Sequence, residues 1–403
     1  MDLELEKKAE KQEQKLMRTW AEINLDNLTH NIEVIRRQVG PKTKILGVVK
    51  GDAYGHGAVR VAKHLETIGA DYIAVSNIDE CEELRVNGVK LPILMLGYTP
   101  SYEADRILRL DMTEAIQNLR IARAFSEKAI ALGKKIKVHV KLDTGMGRLG
   151  FQCDDAHFDQ SLRDILELVK LPGLDVEGIF THFCVSDEEA EEHVAFTRLQ
   201  YERFRKMIAA IESGSDGFKF RIKHCCNAGA ICSYTDFIEE GDMVRCGIIM
   251  YGTGEIAEQM GMKPVMTVKS TVSTIKIFDK DASISYGRTY FTDRPSRIGV
   301  MPIGYADGFF RNLSNKFSVM TPSGPAPITG RICMDMTMID LTDHPEVGIG
   351  DVIEIYGEKN LINEAAKICN TISYELLCAV SKRVPRYYIK GGEVVDYNLQ
   401  LLY

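Results

Sequence analysis

The feature that most constrains this chain is a rhythm. Eight short apolar runs, KILGVVK, DYIAVSN, PILMLG, MTEAIQN, KVHVKLDTG, VEGIFTHF, RIKHCCN and MVRCGIIMYG, are separated by amphipathic helical patterns such as IDECEELRVNG, LRIARAFSEKAIALG and AEEHVAFTRLQYERFRKMIAAIES. Runs rich in Val, Ile and Leu suit strands covered on both faces by helices. Strand–helix alternation over ~230 residues predicts a (β/α)8 TIM-like barrel. An open doubly wound sheet would satisfy the same alternation. Polar residues at the strand ends, Lys50, Lys141, His182, Asn227 and Arg245, favour a barrel with one central mouth.

After about residue 260 the pattern turns to short alternating runs, VMTVKSTVSTIKIF, RIGVMPIGY, APITGRICMDMTMIDL and DVIEIYG, interrupted by one helical segment, NEAAKICNTISYELLCAVS. This predicts a β-rich C-terminal domain. The expected division is a charged extension over 1–17, a barrel over 18–258 and a mainly β domain over 259–403. TWAEINLD alternates as a half-buried strand, with Asp26 or Asn27 able to cap the helix that follows.

The first barrel run ends in Lys50, followed by the glycine-rich turn GDAYGHG. Lysine is rarely buried. When it is, desolvation lowers its pKa and makes the amine a nucleophile toward carbonyls. The plainer reading is a strand-end lysine whose amine reaches water. Gly51, Gly55 and Gly57 let the backbone turn sharply and approach a ligand, and the strand–loop–helix order places the amine where α/β folds place their sites.

A net charge of −7 gives no basic footprint for nucleic acid and no attraction to anionic membranes. No apolar run approaches ~18 residues and the N-terminus is charged, so a membrane span and a secretory signal are not expected, and a cytoplasmic location is. Ten scattered cysteines read as reduced core thiols, and no metal site is expected. Cys225 and Cys226, being adjacent, are expected to face opposite sides of a strand.

VVKGDAYGHG closely resembles the cofactor-lysine motif of the alanine racemases, fold-type III pyridoxal-phosphate enzymes. Gly51 stands where the family's usual residue is alanine. The resemblance implies that Lys50 links covalently to pyridoxal 5'-phosphate and that Tyr54 touches the phosphate. Gly247 and Ile248 in MVRCGIIMYG match the phosphate-binding pair, and Tyr374 in TISYELLC the second phosphate tyrosine. Asn227 matches within KHCCNAGA, but Ala228 replaces a family serine that binds phosphate. Arg245 matches the arginine that donates to the ring nitrogen, although taken alone its plainer reading is a salt bridge in the barrel mouth. A group that stays protonated leaves that nitrogen neutral and weakens the ring as an electron sink, which suits racemisation.

Racemisation requires proton-transfer groups on both faces of the α-carbon. The resemblance implies Lys50 on one face and Tyr286 of SISYGRTYF, from the partner subunit of a homodimer, on the other. A tyrosine has a reference pKa of ~10, so neighbours must assist. His182 matches the histidine linking that tyrosine to Arg245; its plainer reading is a strand-end histidine bonded to a carbonyl. Arg148 in VKLDTGMGRLGF and the partner's Met334 amide in GRICMDMTMIDL match the substrate-carboxylate contacts, with Lys141 a candidate for carbamylation. Asp335 and the GYADG segment match as site or interface support. The function implied is interconversion of L- and D-alanine for peptidoglycan. A serine or broad-specificity racemase is the near alternative. A fold-type III decarboxylase, which uses a carboxylate at the ring nitrogen, and a pyridoxal-phosphate carrier are more distant ones.

Overall fold

The computed structural model of the protein describes residues 18–399; the extension expected over 1–17 lies outside the described residues. The chain divides into two bodies. Among the described residues, one comprises 31–53 and 58–250, and the other 18–30, 54–57 and 251–399.

The first body is the barrel. Parallel strands Lys44–Val48, Tyr72–Val75, Ile93–Met95, Met112–Ile116, Ile136–Asp143, Leu174–Phe180, Ile222–His224 and Met243–Cys246 fall on the eight apolar runs. Each pairs with the next up to Ile222–His224, and the last pairs with the first through Met243↔Lys44 and Arg245↔Leu46. Bonds from Asp242 N to Lys223 O (2.9 Å) and from Arg245 N to Cys226 O (3.0 Å) bring the remaining two strands together. Helices cover the outside by their apolar stripes. Glu191–Gly214 buries Thr197, Gln200, Tyr201, Phe204, Met207, Ile208 and Ile211, the i, i+3, i+4, i+7 spacing of one helical face.

One buried carboxyl stands out. Glu114, on the Met112–Ile116 strand, is 1% exposed, and its Oε2 has no hydrogen-bond partner among the described residues. Burial pushes its pKa well above the usual carboxylate range. The folded value thus exceeds the unfolded one, so this group's stability is complete below the unfolded pKa and is lost as pH rises toward the folded one. Glu114→Gln removes that titration. The variant is expected to melt higher than the parent by an amount that grows as pH rises above the usual carboxylate range. A melting difference that is flat across pH would refute this.

The second body is built on a seven-stranded sheet in the order Gly324–Pro327, Ser318–Thr321, Val352–Tyr356, Met266–Thr271, Thr19–Asn24, Arg386–Lys390, Glu393–Asn398. Thr19–Asn24, expected at the start of the barrel, lies inside this sheet, antiparallel to Met266–Thr271 and parallel to Arg386–Lys390. Its apolar–polar alternation suits this sheet and not the barrel, whose strands carry nearly continuous apolar runs. The cap of the following helix, Leu25–Val39, is neither Asp26 nor Asn27. Asn24 Oδ1 accepts from Asn27 N at 3.0 Å. A three-stranded sheet, Thr274–Phe278, Ser296–Met301 and Thr337–Asp340, and the hairpin Ser283–Ile284/Tyr290–Phe291 complete the β structure. The single helical segment expected near residues 363–381 is two helices, Ile362–Cys369 and Ser373–Ala379, because Asn370 ends the first at φ 56°. Among the described residues no helix is long and apolar enough to cross a membrane.

Candidate active site

Lys50 opens an unusual turn. Lys50–Gly55 is hydrogen-bonded as one helical turn, with Ala53 N donating to Val49 O at 2.8 Å. Yet its φ angles run 63, 54, 53, 53 and 82° from Gly51 to Gly55, so it is left-handed. For each L-residue that conformation costs roughly 1–2 kcal/mol, and Asp52, Ala53 and Tyr54 adopt it in succession. Surrounding contacts hold it. Gly51 N donates to Glu80 Oε1 (2.7 Å), and Asp52 Oδ1 accepts from Ala58 N (2.8 Å).

Inside the barrel the guanidinium of Arg245 is 4% exposed. Its Nη1 donates to His224 O and Nδ1, and its Nη2 to Thr181 O, Cys225 O and His182 Nδ1, over 2.8–3.3 Å. Nε takes no partner among the described residues. Burial lowers the Arg245 pKa to about 10, which leaves it a cation at neutral pH. Burial, followed by the charge of Arg245 and then of Lys141, Arg148 and Lys50, holds the His182 pKa well below its usual value. His182 is therefore neutral and accepts from Arg245 at Nδ1, which puts its proton on Nε2. Four of the expected residues thus act electrostatically on one imidazole.

Arginine can only donate, and this orders the protons behind it. His224 Nδ1 accepts from Arg245 at 3.1 Å, so Nε2 carries the proton and donates to His139 Nδ1 at 2.9 Å. His139 Nε2–H then faces Glu177 Oε2 at 3.5 Å, and Tyr72 donates to Glu177 Oε1 at 3.4 Å. Burial keeps both histidines below their usual pKa, and His139 holds the Glu177 carboxyl down. Sequence reasoning missed His139, His224 and Glu177. A signal existed: His139 stands two residues before Lys141 on one strand, so both face the same side. Gly178, the register partner of His139, makes room for the ring, since a Cβ there would stand 2.7 Å from it. Gly178→Ala is expected to lower stability by about 1–3 kcal/mol through overpacking, measured by denaturant unfolding; an unchanged midpoint would contradict the fit.

Lys141 is buried beneath this cluster, donating to Leu142 O at 2.9 Å with its amine 5.0 Å from the Phe180 ring centre. Burial first, then Arg245, lowers its pKa to about 7. Arg148 is exposed on the following loop, which Asp143 ties by accepting from Gly145, Gly147 and Arg148 amides at 3.0 Å. The Arg148 guanidinium has no partner among the described residues. Gly247 and Ile248 lead into the turn Ile248–Tyr251. Asn227 is held by its own side-chain bonds. Its Oδ1 accepts from Ser186 Oγ (2.7 Å) and Ala230 N (3.3 Å), while its Nδ2 donates to Phe183 O (3.1 Å). Asn227 thereby caps and fixes the turn that follows it, with one Nδ2 hydrogen left over. Cys225 and Cys226 differ from expectation. Their sulfurs are 3.9 Å apart, because the strand ends at His224 and strand alternation no longer applies.

In the second body Tyr54 is buried against Tyr251 and Tyr374, with ring centres 5.2 and 5.9 Å away. Burial, then Tyr374, pushes its phenol pKa well up. The phenol stays protonated, and it has no partner among the described residues. Tyr374 itself lies in the first turn of Ser373–Ala379. Tyr286 is 69% exposed and Met334 52%. Ser285, before Tyr286, has φ 66° and ψ −176°, a region otherwise left to glycine, at roughly 1–3 kcal/mol. The Met334 carbonyl accepts from Ala306 N at 3.0 Å, and Arg383 bridges Asp335 (2.7 Å) and the buried Asp307 (3.4 Å). Among the described residues no cluster is suited to a metal ion.

Taken body by body, the donor types suit pyridoxal phosphate: in the first body Arg245 Nε is a protonated donor without a partner among the described residues, suited to a ring nitrogen, and Lys50 has the amine; in the second body Tyr54 is a protonated phenol, suited to a phosphate.

Residues 23–255 match the alanine racemase N-terminal domain, and residues 265–388 the alanine racemase C-terminal domain. Alanine racemase 2 of Caldanaerobacter subterraneus subsp. tengcongensis is 43% identical, over 94% of this chain and 96% of that protein. The solved alanine racemase of Clostridium difficile 630 superposes with a TM-score of 0.88 at 40% identity, over 96% of this chain and 99% of that one. An alanine racemase structure from Bacillus anthracis with bound L-Ala-P gives 0.84 at 32% identity, over 96% and 98%. With both domains matched and the relatives covered nearly end to end, the chain belongs to the alanine racemase family.

Proposed function

We propose that the protein is a pyridoxal-phosphate-dependent racemase interconverting L- and D-alanine, with the D-alanine serving peptidoglycan. The observation that carries this reading is Arg245, a buried cation with both Nη groups committed and Nε left over. When bound, the cofactor supplies an aldehyde for the substrate amine and a ring that accepts electron density as the α-C–H bond breaks. A donor that keeps its proton limits that acceptance. Return of a proton to carbon then outruns decarboxylation and transamination.

Lys50 holds the cofactor and, once displaced by substrate, moves a proton at one face of the α-carbon. Tyr286 of a second copy moves the other, one proton leaving and one arriving per turnover. Tyr54, Tyr374, Gly247 and Ile248 bind the phosphate, with Asn227 positioning its own turn. His182 fixes Arg245 from the mouth side. Arg148 and the partner copy's Met334 amide hold the substrate carboxylate, the guanidinium fork matching its two oxygens. The assembly is a homodimer with shared sites, and ten free cysteines suit a cytoplasmic setting.

Lys141, with its pKa near neutrality, is the amine most ready to react with carbon dioxide. The ammonium first gives up one proton, the free amine then forms the N–C bond to carbon dioxide with loss of a second, and the carbamate anion left among these cations steadies Arg148. Intact-protein mass measured in bicarbonate at neutral pH is expected to show an increment of one carbon dioxide that Lys141→Ala lacks. Its presence in that variant would dismiss the assignment.

The deciding experiment is incubation of the protein and pyridoxal phosphate with L-alanine, L-serine or L-lysine in deuterated water, following optical rotation and α-deuteration. Alanine racemised well ahead of the others supports the reading. Racemisation of serine or lysine alone moves the substrate, and cofactor binding without any exchange overturns racemase function.

A further inference from the structure

We infer that Ser285 is a positioning residue, whose hydroxyl pins the phenol-bearing turn of Tyr286 to the segment that presents Met334. The inference rests on the two-base reading above and adds a residue to it.

Tyr286 sits in the loop between strands Ser283–Ile284 and Tyr290–Phe291. It is clasped on both sides by one residue, Arg331. Before it, Ser285 Oγ donates to Arg331 O at 2.6 Å. After it, Gly287 lies so close to the Arg331 guanidinium that a Cβ there would stand 2.8 Å from Nη1. Arg331 is three residues ahead of Met334, and Cys333 between them also meets Ser285, Sγ to Oγ at 3.6 Å. Gly330 leaves the space for this approach, since a Cβ on it would stand 2.7 Å from Ile284 O and from Ser285 Cβ.

The backbone of Ser285 makes the hydroxyl informative. At φ 66° and ψ −176° a glycine would rest without strain, and serine does not. A single hydrogen bond to a carbonyl does not offset that strain, so stability alone would favour glycine here. What serine adds is a fixed distance between the two groups that this chain offers to a neighbouring copy's site. An exposed tyrosine without such a pin would wander, and small misplacements of a proton-transfer group lower rates steeply.

The test compares Ser285→Gly, Ser285→Ala and Tyr286→Phe with the parent holoenzyme, reading racemisation, thermal melting, cofactor absorbance, and deuterium uptake from L- and D-alanine separately. Ser285→Gly is expected to melt no lower than the parent and keep its cofactor absorbance, yet racemise about 10–100-fold more slowly. Its uptake from L-alanine should fall in step, with uptake from D-alanine, the Lys50 side, held within about twofold. Ser285→Ala should show the same loss and melt lower, keeping the strain without the hydrogen bond. Parent-like racemisation by Ser285→Gly, or equal loss of uptake from both enantiomers, overturns the inference. If Tyr286→Phe spares L-side uptake, the two-base reading fails and Ser285 has nothing to position. If Tyr286→Phe loses it and Ser285→Gly does not, only the pin fails.

Discussion

Lys50→Ala is expected to abolish racemisation, by at least about 10⁴-fold, and to remove the absorbance of covalently held cofactor in the same preparation. Both follow from one side chain because its amine both holds the cofactor and moves a proton. Folding should survive. Lys50 is only half-buried, and Gly51 on Glu80 and Asp52 on Ala58 hold the left-handed turn it opens. Circular dichroism melting should therefore overlay the parent's. Residual racemisation within tenfold of the parent, about 1.4 kcal/mol of barrier, would remove Lys50 from its proposed role.

Tyr286→Phe carries the second large effect, an expected fall of about 10²–10⁴ in racemisation, the range of a lost acid–base group. The enantiomers have equal free energy, so both directions must slow alike. Isotope exchange separates the two faces. Uptake of deuterium from L-alanine should fall with racemisation, while uptake from D-alanine continues through Lys50, as followed by proton NMR. Because the phenol is exposed, losing one hydroxyl should leave melting unchanged. Racemisation at the parent rate would refute the assignment of the second face to this residue.

Much of this was legible beforehand. All eight barrel strands lie on the continuous apolar runs, because a strand between helices has no polar face to alternate with. The β-rich second half followed from its short alternating runs. What misled was local. TWAEINLD precedes the barrel in the chain but pairs with Met266–Thr271 and Arg386–Lys390, a long-range choice that no local pattern records. Strand alternation does not hold for Cys225 and Cys226, one and two residues beyond the strand's end. The bonds of the Asn227 side chain to Ser186 and Phe183, some forty residues earlier, left no local trace either.

The sequence by itself determined the chemistry on offer, with Lys50 behind an apolar strand, Arg245 at the end of another, and Tyr286 and Met334 in the β-rich half. Residue type and strand order suffice for that, since nucleophilicity and donor capacity belong to side chains. Only the tertiary structure decided the protonation states. The neutral His182, the lowered Lys141 and the one-way line from Arg245 through His224 and His139 to Glu177 arise from burial and mutual proximity. Desolvation and the Coulomb field depend on distances between residues that are far apart in the chain, and those distances exist only once the barrel has closed.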